Sequence, residues 1–156
     1  MTLKNLLPLE RVLFNAPGGS KKKLLATAST FIAQDAPDLD TQEVFERLMG
    51  RERLGSTGIG NGVAIPHARS PLCHTPIAAF LKLAKPIDFD AIDGEPVDLV
   101  FVLLVPEEAD ETHLALLSQV ASVLNDAEAL TRLRQCSDQH ELHASLIEAI
   151  QRHSSA

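Results

Sequence analysis

Apolar residues recur at helical spacing in two segments of the first third of the chain. In the first segment they form one stripe, and Ser20 stands where a capping residue would, so a helix is predicted over about 21–34. In the second segment Asp40 is followed by Glu43, which is the spacing of a carboxylate variant of the capping box. The helix that begins there is expected to end near Leu54. Each helix should turn one apolar face towards a core.

The middle of the chain contains short apolar runs that are typical of strands. Four glycines fall within residues 55–62, which predicts a loop. Val63–Ile65 predicts a short strand stopped by Pro66, and residues 77–83 predict a second strand. Residues 97–105 are almost continuously apolar, as expected of a strand that is covered on both faces. That strand is therefore predicted to be central in the sheet.

Three further helical patterns complete the predicted fold. They span about 112–125, 127–135 and 138–151. Strands and helices in this order indicate an α/β fold, with a mixed central β-sheet flanked by helices. The length of 156 residues is close to that of one domain, so we expect a single compact domain. Residues 151–156 are expected to form a flexible C-terminal tail.

The charge of the chain limits the kinds of partner. Its formal net charge is −7, and surfaces that bind nucleic acid need clustered Lys and Arg, so no nucleic-acid partner is expected. The one basic run, Lys21–Lys23, is interpreted as the solvated start of a helix. No stretch approaches the roughly 20 apolar residues of a membrane span, and the first residues do not resemble a signal peptide. A cytoplasmic protein without membrane insertion is therefore expected.

No metal site and no cofactor is predicted. Cys73 and Cys136 lack the spacing of a metal site or of a disulfide framework. His74 lies beside Cys73, but no compact set of ligands accompanies it, so a surface loop is the preferred interpretation. The aspartates of residues 88–98 do not have calcium-loop spacing and suggest turn and strand-edge roles. The other histidines near the C-terminus are expected to be exposed to solvent; they are His140, His143 and His153.

The segment most suggestive of chemistry is the glycine-rich loop that leads through a short strand into Pro66 and His67. Glycines allow backbone N–H groups to approach an anion closely, and a histidine at the end of a rigid strand can project from the sheet edge. Nucleotide binding is disfavoured, because the loop lacks the Gly-Lys-Ser/Thr ending of a Walker A motif and is followed by a strand, not a helix. His67 is thus the first candidate for a functional residue.

Three blocks of the sequence resemble one protein family. Residues 51–67, RERLGSTGIGNGVAIPH, resemble the phosphorylation-site motif of the mannitol/fructose-type (type-2) IIA family of the phosphoenolpyruvate-dependent phosphotransferase system. Residues 86–98 match a second block, and residues 104–106 with 112–114 match a third, in family order. The similarity covers about residues 5–150, which are identified as a IIA type-2 domain.

The resemblance implies a phosphoryl-relay site. In it His67 accepts a phosphoryl group on Nε2 from a small HPr-like carrier, and His113 and Arg51 lie near the phosphorylated ring. A phosphoryl group brings about −1.5 to −2 charges, so cationic and N–H donors stabilise it. For Nε2 to carry the lone pair the proton must sit on Nδ1, and we predict that a backbone carbonyl or a carboxylate holds it there. Ala68 and Arg69 depart from the many relatives that have Gly after the histidine, so contacts there are expected to differ.

One branch of the family is favoured. Residues 90–98 look like the nitrogen-regulatory branch, and a free-standing protein without a fused sugar-specific unit or a membrane segment is expected. This implies a phosphotransferase component that acts mainly as a regulator. Its phosphorylation state would control transporters, kinases or other target proteins in nitrogen- and potassium-related regulation. Its phosphoryl donor would be an HPr-like carrier of the nitrogen branch.

Other functions stay open at this point. A fructose- or mannitol-specific IIA component of a sugar transport system would have the same site chemistry. A binding module that has lost phosphotransfer is less favoured, because His67, Arg51 and His113 are all retained. A hydrolase that uses His67 and His113 as acid and base is remoter, because no Ser or Cys nucleophile motif accompanies them.

Overall fold

A mixed sheet with helices on both faces forms the core of the structure. The computed structural model describes residues 2–154. Two short 3-10 turns come first, Leu3–Leu6 and Leu9–Arg11. The strands are β1 (Val12–Ala16), β2 (Gly58–Gly60), β3 (Val63–Ala64), β4 (His67–Ser70), β5 (Ile77–Ile87) and β6 (Val97–Pro106). The helices are α1 (Lys21–Ala33), α2 (Thr41–Arg53), α3 (Glu111–Leu124), α4 (Ala127–Gln135) and α5 (Gln139–Ser154). The predicted α/β class, with a mixed sheet in a single compact domain, is confirmed.

The central position predicted for the apolar strand, β6, is also confirmed. The strand order is β1-β5-β6-β3-β2, and β4 also pairs with β6. β5 runs antiparallel to β6 on one side, and β3 and β4 run parallel to it, one after the other, on the opposite side. β1 lies parallel to β5 at one edge, and β2 lies antiparallel to β3 at the other.

Alternate residues of β6 enter two separate cores. Leu99, Phe101 and Leu103 pack with α3, α4 and α5, whereas Val100 and Val102 pack with α1 and α2. All five side chains are buried, which explains why the strand is apolar on both faces. The strand is therefore fixed from both sides, and it can hold its neighbours β3 and β4 in place.

The first two helices begin with caps of the predicted kind. The Ser20 side chain accepts a backbone hydrogen bond at the start of α1, and Asp40 Oδ2 accepts one of 2.9 Å from the N–H of Glu43 at the start of α2. The capping box at α2 is only half formed. The Glu43 carboxylate does not turn back to the N–H of Asp40, as a complete capping box requires. It accepts hydrogen bonds from the side chains of Arg47, one turn further along α2, and Ser70 in β4.

The prediction of a loop over residues 55–62 was wrong for Gly58–Gly60, which form β2. Asn61 and Gly62 have φ angles of 58° and 78°, the geometry of a two-residue type I′ hairpin turn. This turn pairs β2 with β3. Asn-Gly is the strongest short sequence signal for such a hairpin. The hairpin could therefore have been predicted from Asn61 and Gly62, but the high glycine content of the segment led to the prediction of a loop.

The chain does not leave the sheet at Pro66. Proline has no N–H, but its carbonyl oxygen accepts a hydrogen bond of 3.0 Å from the N–H of Leu103 in β6. The strand therefore resumes as β4, whose first residue, His67, pairs with Leu103. The predicted end at Pro66 applies to β3, and β4 was missed.

Two other strands differ from the predictions. β1 was not predicted, because its short pattern is interrupted by Asn15, which has a φ of 60° and lies where the register with β5 shifts. β5 continues past the predicted end at Leu83 as far as Ile87. Its extension pairs with the start of β6, at Val97, after a second shift in register.

The last helix is longer than predicted. α5 reaches Ser154, so residues 151–154 are helical where a tail was expected. His153 Nε2 lies 3.1 Å from Asp126 Oδ2, and this contact joins the end of α5 to the start of α4. Residues 155 and 156 of the predicted tail lie outside the described residues. Within residues 2–154 no helix combines the length and the apolar character needed to cross a membrane.

Candidate functional site

His67 follows Pro66 at the interruption between β3 and β4. Its Nδ1 atom lies 2.8 Å from the carbonyl oxygen of Ile65. A carbonyl oxygen only accepts hydrogen bonds, so this contact requires the proton on Nδ1 and leaves the lone pair on Nε2. The backbone carbonyl expected beside Nδ1 is therefore present, and it orients the ring.

The second ring nitrogen of His67 faces Arg51. This arginine lies in the last turn of α2, and its Nε–H donates a hydrogen bond of 3.3 Å to Nε2 of His67. Its Nη1 donates a second bond, of 2.9 Å, to the carbonyl oxygen of Gly55. The guanidinium is thus held between the end of its own helix and the imidazole, with its Nε–H directed at the nitrogen that carries the lone pair.

The surroundings of His67 favour the neutral ring. Burial lowers its pKa below the ordinary value of 6.5, and the positive charge of Arg51 lowers it further. The hydrogen bond to Ile65 and the carboxylate of Glu52 act in the opposite direction but do not overcome these effects. The ring is therefore neutral near pH 7, which is the form whose nitrogen can act as a nucleophile.

His113 lies in the first turn of α3, and its contacts leave one nitrogen to donate. Its Nδ1 accepts a hydrogen bond of 3.3 Å from the N–H of Asp110 and also lies 3.3 Å from Asp110 Oδ1. The hydrogen bond from the Asp110 N–H requires a bare Nδ1, and a neutral ring with a bare Nδ1 carries its hydrogen on Nε2. That hydrogen bond therefore leaves Nε2–H as the donor of His113.

One cavity brings the three predicted residues together. It has a volume of about 470 Å³, and Arg51, His67 and His113 all line it. Arg69, at the departure from the family pattern, lines it as well, and its Nη1 donates a hydrogen bond to the carbonyl oxygen of Glu107. Apolar side chains complete much of the wall: Leu54, Leu103, Val105, Leu114 and Leu117.

The glycine-rich loop does not direct its N–H groups as expected. The N–H of Thr57 donates to Glu52, that of Gly58 to the Ser56 hydroxyl, and that of Asn61 to Asp93. These three groups are therefore engaged within the protein and are not available to an external anion. The loop contributes to the site in another way, because it holds the backbone that leads to His67.

A buried ion pair beneath the loop was missed by sequence reasoning. Glu52 is buried, and Lys21 Nζ lies 3.0 Å from its Oε1 and 3.0 Å from Asp90 Oδ2. Burial opposes the charged form of Lys21 most strongly, but the contacts with these two carboxylates outweigh it and raise its pKa. Lys21 is therefore not the simple solvated residue that was predicted. The only sequence signal was the position of Glu52 beside Arg51 in the family motif.

Cys73 and His74 lie in a different cavity, of about 400 Å³, formed with the N-terminal turns and residues 36–39. Burial raises the pKa of the Cys73 thiol to about 11, and the carboxylates of Glu43 and Glu108 act in the same direction. This thiol is therefore a poor nucleophile. His74 Nε2 is 3.8 Å from Asp38 Oδ2 at an exposed position, in agreement with a surface loop.

The remaining polar candidates have structural contacts. His143 is half-buried, and its Nε2 lies 2.8 Å from the carbonyl oxygen of Leu7, so the expected solvent exposure was wrong for this residue. It ties α5 to the N-terminal turns. Asp93 accepts hydrogen bonds from the N–H groups of Asn61 and Glu95, which lower its pKa. Within residues 2–154 no group of three or more His, Cys, Asp or Glu side chains could hold a metal ion.

Comparisons with known proteins identify the family. A family model described as "Phosphoenolpyruvate-dependent sugar phosphotransferase system, EIIA 2" matches residues 5–149. The "Nitrogen regulatory protein" of Pseudomonas aeruginosa is 49% identical over 146 residues, which cover 94% of this chain and 95% of that protein. The crystal structure of nitrogen regulatory protein IIA-Ntr from Neisseria meningitidis is 39% identical, with a TM-score of 0.85, and the match covers 92% of this chain and 98% of that chain.

A sugar-specific relative is more distant. The "PTS system fructose-specific EIIA component" of Haloferax volcanii is 30% identical over 150 residues, which cover 96% of this chain and 97% of that protein. The family match extends over nearly all of the chain, including every block on which the resemblance was based. The chain therefore belongs to the EIIA type-2 family of the phosphoenolpyruvate-dependent sugar phosphotransferase system.

Proposed function

We propose that this protein is a phosphoryl-relay regulator in which Nε2 of His67 accepts a phosphoryl group from an HPr-like carrier of the nitrogen branch. The observation that carries the proposal is the contact between Nδ1 and the Ile65 carbonyl, 2.8 Å long, which leaves the Nε2 lone pair directed at Arg51. The relatives named nitrogen regulatory protein, one of them 49% identical over 146 residues, support the regulatory assignment over transport of a sugar.

The transfer exchanges one phosphorus–nitrogen bond for another. The Nε2 lone pair of His67 attacks the phosphorus of the carrier's phosphohistidine, while the bond from phosphorus to the carrier nitrogen breaks and its electron pair stays on that nitrogen. Charge spreads over the three equatorial oxygens during this step. Arg51 can then redirect a guanidinium N–H from Nε2 to one of these oxygens, and Nε2–H of His113 can donate to another.

Regulation follows from the charge that the phosphoryl group adds to an apolar rim. Leu54 and Leu114 line the cavity and are 85% and 49% exposed. A partner that packs on these side chains would bring its own apolar surface close to His67. A group of about −1.5 to −2 charges at that point changes the affinity for such a partner, which suits control of transporters, kinases or other target proteins.

The first test follows phosphorylation by mass. The protein is incubated with phosphoenolpyruvate, the first enzyme of the relay and a nitrogen-branch carrier. We expect a rapid gain of one phosphoryl group that is lost in acid, and we expect none in His67→Ala. His74→Ala, which removes an exposed histidine outside the cavity, is the matched control and should be labelled normally. Acid-labile label that persists in His67→Ala would contradict the assignment of His67.

The choice of carrier tests the branch. The fructose-specific relative keeps a sugar IIA component as the second candidate function. Faster labelling by the nitrogen-branch carrier than by a sugar-branch carrier supports the regulator, and the reverse order supports the transport component. Target proteins are then sought by comparing what His67→Ala and the phosphomimetic His67→Asp retain from a cell lysate. A regulator should retain different proteins in the two states.

A further inference from the structure

We infer that Glu52 is a positioning residue for the phosphoryl acceptor: its buried carboxylate fixes Thr57, and Thr57 fixes the peptide of Ile65 whose carbonyl holds the Nδ1 proton of His67. This inference rests on the proposed function of His67. It assigns a role to the ion pair between Glu52 and Lys21, which does not itself line the cavity.

A continuous series of hydrogen bonds connects Glu52 to the imidazole. The N–H of Thr57 donates to Glu52 Oε1 at 3.0 Å, and the Thr57 hydroxyl donates to Oε2 at 2.7 Å. The carbonyl oxygen of Thr57 in turn accepts a bond of 2.9 Å from the N–H of Ile65. The carbonyl oxygen of the same Ile65 lies 2.8 Å from His67 Nδ1. Three backbone-anchored steps therefore separate the carboxylate from the ring.

The chemistry at Glu52 requires a carboxylate. Every group described around it is a donor: the N–H and hydroxyl of Thr57, and the ammonium of Lys21. An ionised carboxylate only accepts, so it can satisfy all of them, whereas an amide would turn its own N–H2 towards a donor. The Glu52 side chain is only 4% exposed, so water has little access to repair such a mismatch.

Two consecutive residues of α2 thus act on the two nitrogens of one ring. Arg51 contacts Nε2 of His67 directly, and Glu52 reaches Nδ1 through the loop. Because both residues belong to the same helical turn, the placement of the donor and the choice of tautomer are coupled. Lys21, from α1, neutralises the buried carboxylate and also contacts Asp90, so it secures the arrangement from the far side.

The test is Glu52→Gln, with two measurements. The first is the nitrogen-15 spectrum of the His67 ring, recorded without any carrier, in which we expect the Nε2–H tautomer to become populated beside the Nδ1–H form. The second is the rate of phosphorylation as a function of carrier concentration. We expect the maximal rate to fall on the order of tenfold, with little change in the carrier concentration at half-maximal rate, because orientation and not docking is affected.

Two further variants make the result decisive. Thr57→Val removes the hydroxyl and keeps the N–H, so it should shift the tautomer and the rate in the same direction by a smaller amount, and it decides the question if Glu52→Gln does not fold. Ile32→Ala, in the core that α1 and α2 form with the sheet, lowers stability but belongs to a different core cluster from Ile65, so it should leave the ring spectrum and the rate unchanged.

Each outcome bears on only one of the two proposals. If folded Glu52→Gln and Thr57→Val keep the wild-type ring spectrum and the wild-type rate, the role of Glu52 is overturned and the relay function of His67 stands. If the wild-type protein accepts no phosphoryl group, the relay function fails instead. The ring spectrum still tests the positioning role in that case, because it needs no phosphoryl donor.

Discussion

The Nε atom of Arg51 lies 3.3 Å from Nε2 of His67, so the nitrogen proposed as phosphoryl acceptor already receives a hydrogen bond from a cation. Incoming phosphorus must displace this bond. The guanidinium has further N–H groups, and one of them holds the Gly55 carbonyl, so the group can rotate towards a phosphoryl oxygen without leaving the site. Before transfer, burial lowers the pKa of His67 most and the charge of Arg51 lowers it further; after transfer the same charge lies beside the anion.

Arg51→Lys tests whether this planar donor is required. Lysine keeps the positive charge but lacks the fork of N–H groups, so it cannot hold Gly55 and a phosphoryl oxygen together. We expect the maximal rate of phosphorylation to fall roughly 10- to 100-fold. Arg53→Lys is the matched control, because Arg53 is an exposed arginine in the same helical turn that does not line the cavity. Equal rates in the two variants would remove Arg51 from the mechanism.

The lowered pKa of His67 predicts the pH dependence of transfer. The rate constant should be level at neutral and alkaline pH and should fall in acidic solution, with a midpoint below pH 6.5, because protonation of Nε2 removes the nucleophile. In Arg51→Gln the fall should begin at higher pH, because the guanidinium contributes to the lowering. Titration of the ring by NMR measures both values directly. A His67 pKa above 6.5 in the wild type would contradict this prediction.

The lowered pKa of His67 also predicts how the free energy of unfolding depends on pH. Between the lowered pKa of folded His67 and the ordinary value of 6.5, the unfolded chain binds more protons at this residue than the folded chain. The contribution of His67 to the free energy of unfolding therefore rises with pH through that window and is constant above it. His67→Gln should lose this contribution, which denaturant titrations at pH 5 and pH 7.5 can measure.

His113 is predicted to act through Nε2–H. His113→Ala removes the donor, and we expect the maximal rate to fall on the order of 100-fold while His67 can still be phosphorylated. His113→Gln restores an N–H donor at a similar reach, so its rate should lie between those of the alanine variant and the wild type. If glutamine were no better than alanine, a simple donor role would be wrong. Single-turnover labelling separates the three proteins.

How far the sequence predicted the structure depends on whether the signal was local. The helices were predicted because each has its own apolar stripe and, at α1 and α2, its own capping residue. β6 was predicted because burial on both faces leaves an unbroken apolar run. β1 and β4 were missed, because each is short and is held mainly by pairing with a strand that lies far away in sequence.

The site was predicted unevenly for the same reason. Residues 51–67 led to the prediction of His67 and Arg51 as site residues, and a local argument about nucleophilicity predicted the carbonyl partner of Nδ1. Glu52 and Lys21 were missed, because their contact joins α2 to α1 across about 30 residues and no periodicity marks it. The glycine-rich loop was assigned the wrong use, since the acceptors of its N–H groups are side chains that only the fold brings near.

Gly58 is predicted to be needed for its close approach to the connection between β5 and β6. A Cβ atom added there would lie 2.8 Å from the Cβ and 2.9 Å from the Cα of Ala91, so backbone would have to move. We expect Gly58→Ala to lower the free energy of unfolding by about 1–3 kcal/mol. Gly50→Ala, at an open helical position, should raise it by up to about 1 kcal/mol. Urea titrations measure both, and equal effects would contradict the steric argument.

Leu54 is predicted to belong to the surface on which the carrier docks. It lines the cavity and is 85% exposed, so its truncation should cost binding and leave the chemistry intact. We expect Leu54→Ser to raise the carrier concentration at half-maximal rate roughly five- to tenfold, with an unchanged maximal rate. Ile92 is equally exposed, at 85%, but does not line the cavity, so Ile92→Ser is the matched control and should behave as the wild type. If both serine variants bound the carrier as tightly as the wild type, the apolar rim beside His67 would not be the docking surface. If both bound it equally weakly, the contact would depend on general hydrophobicity and not on position.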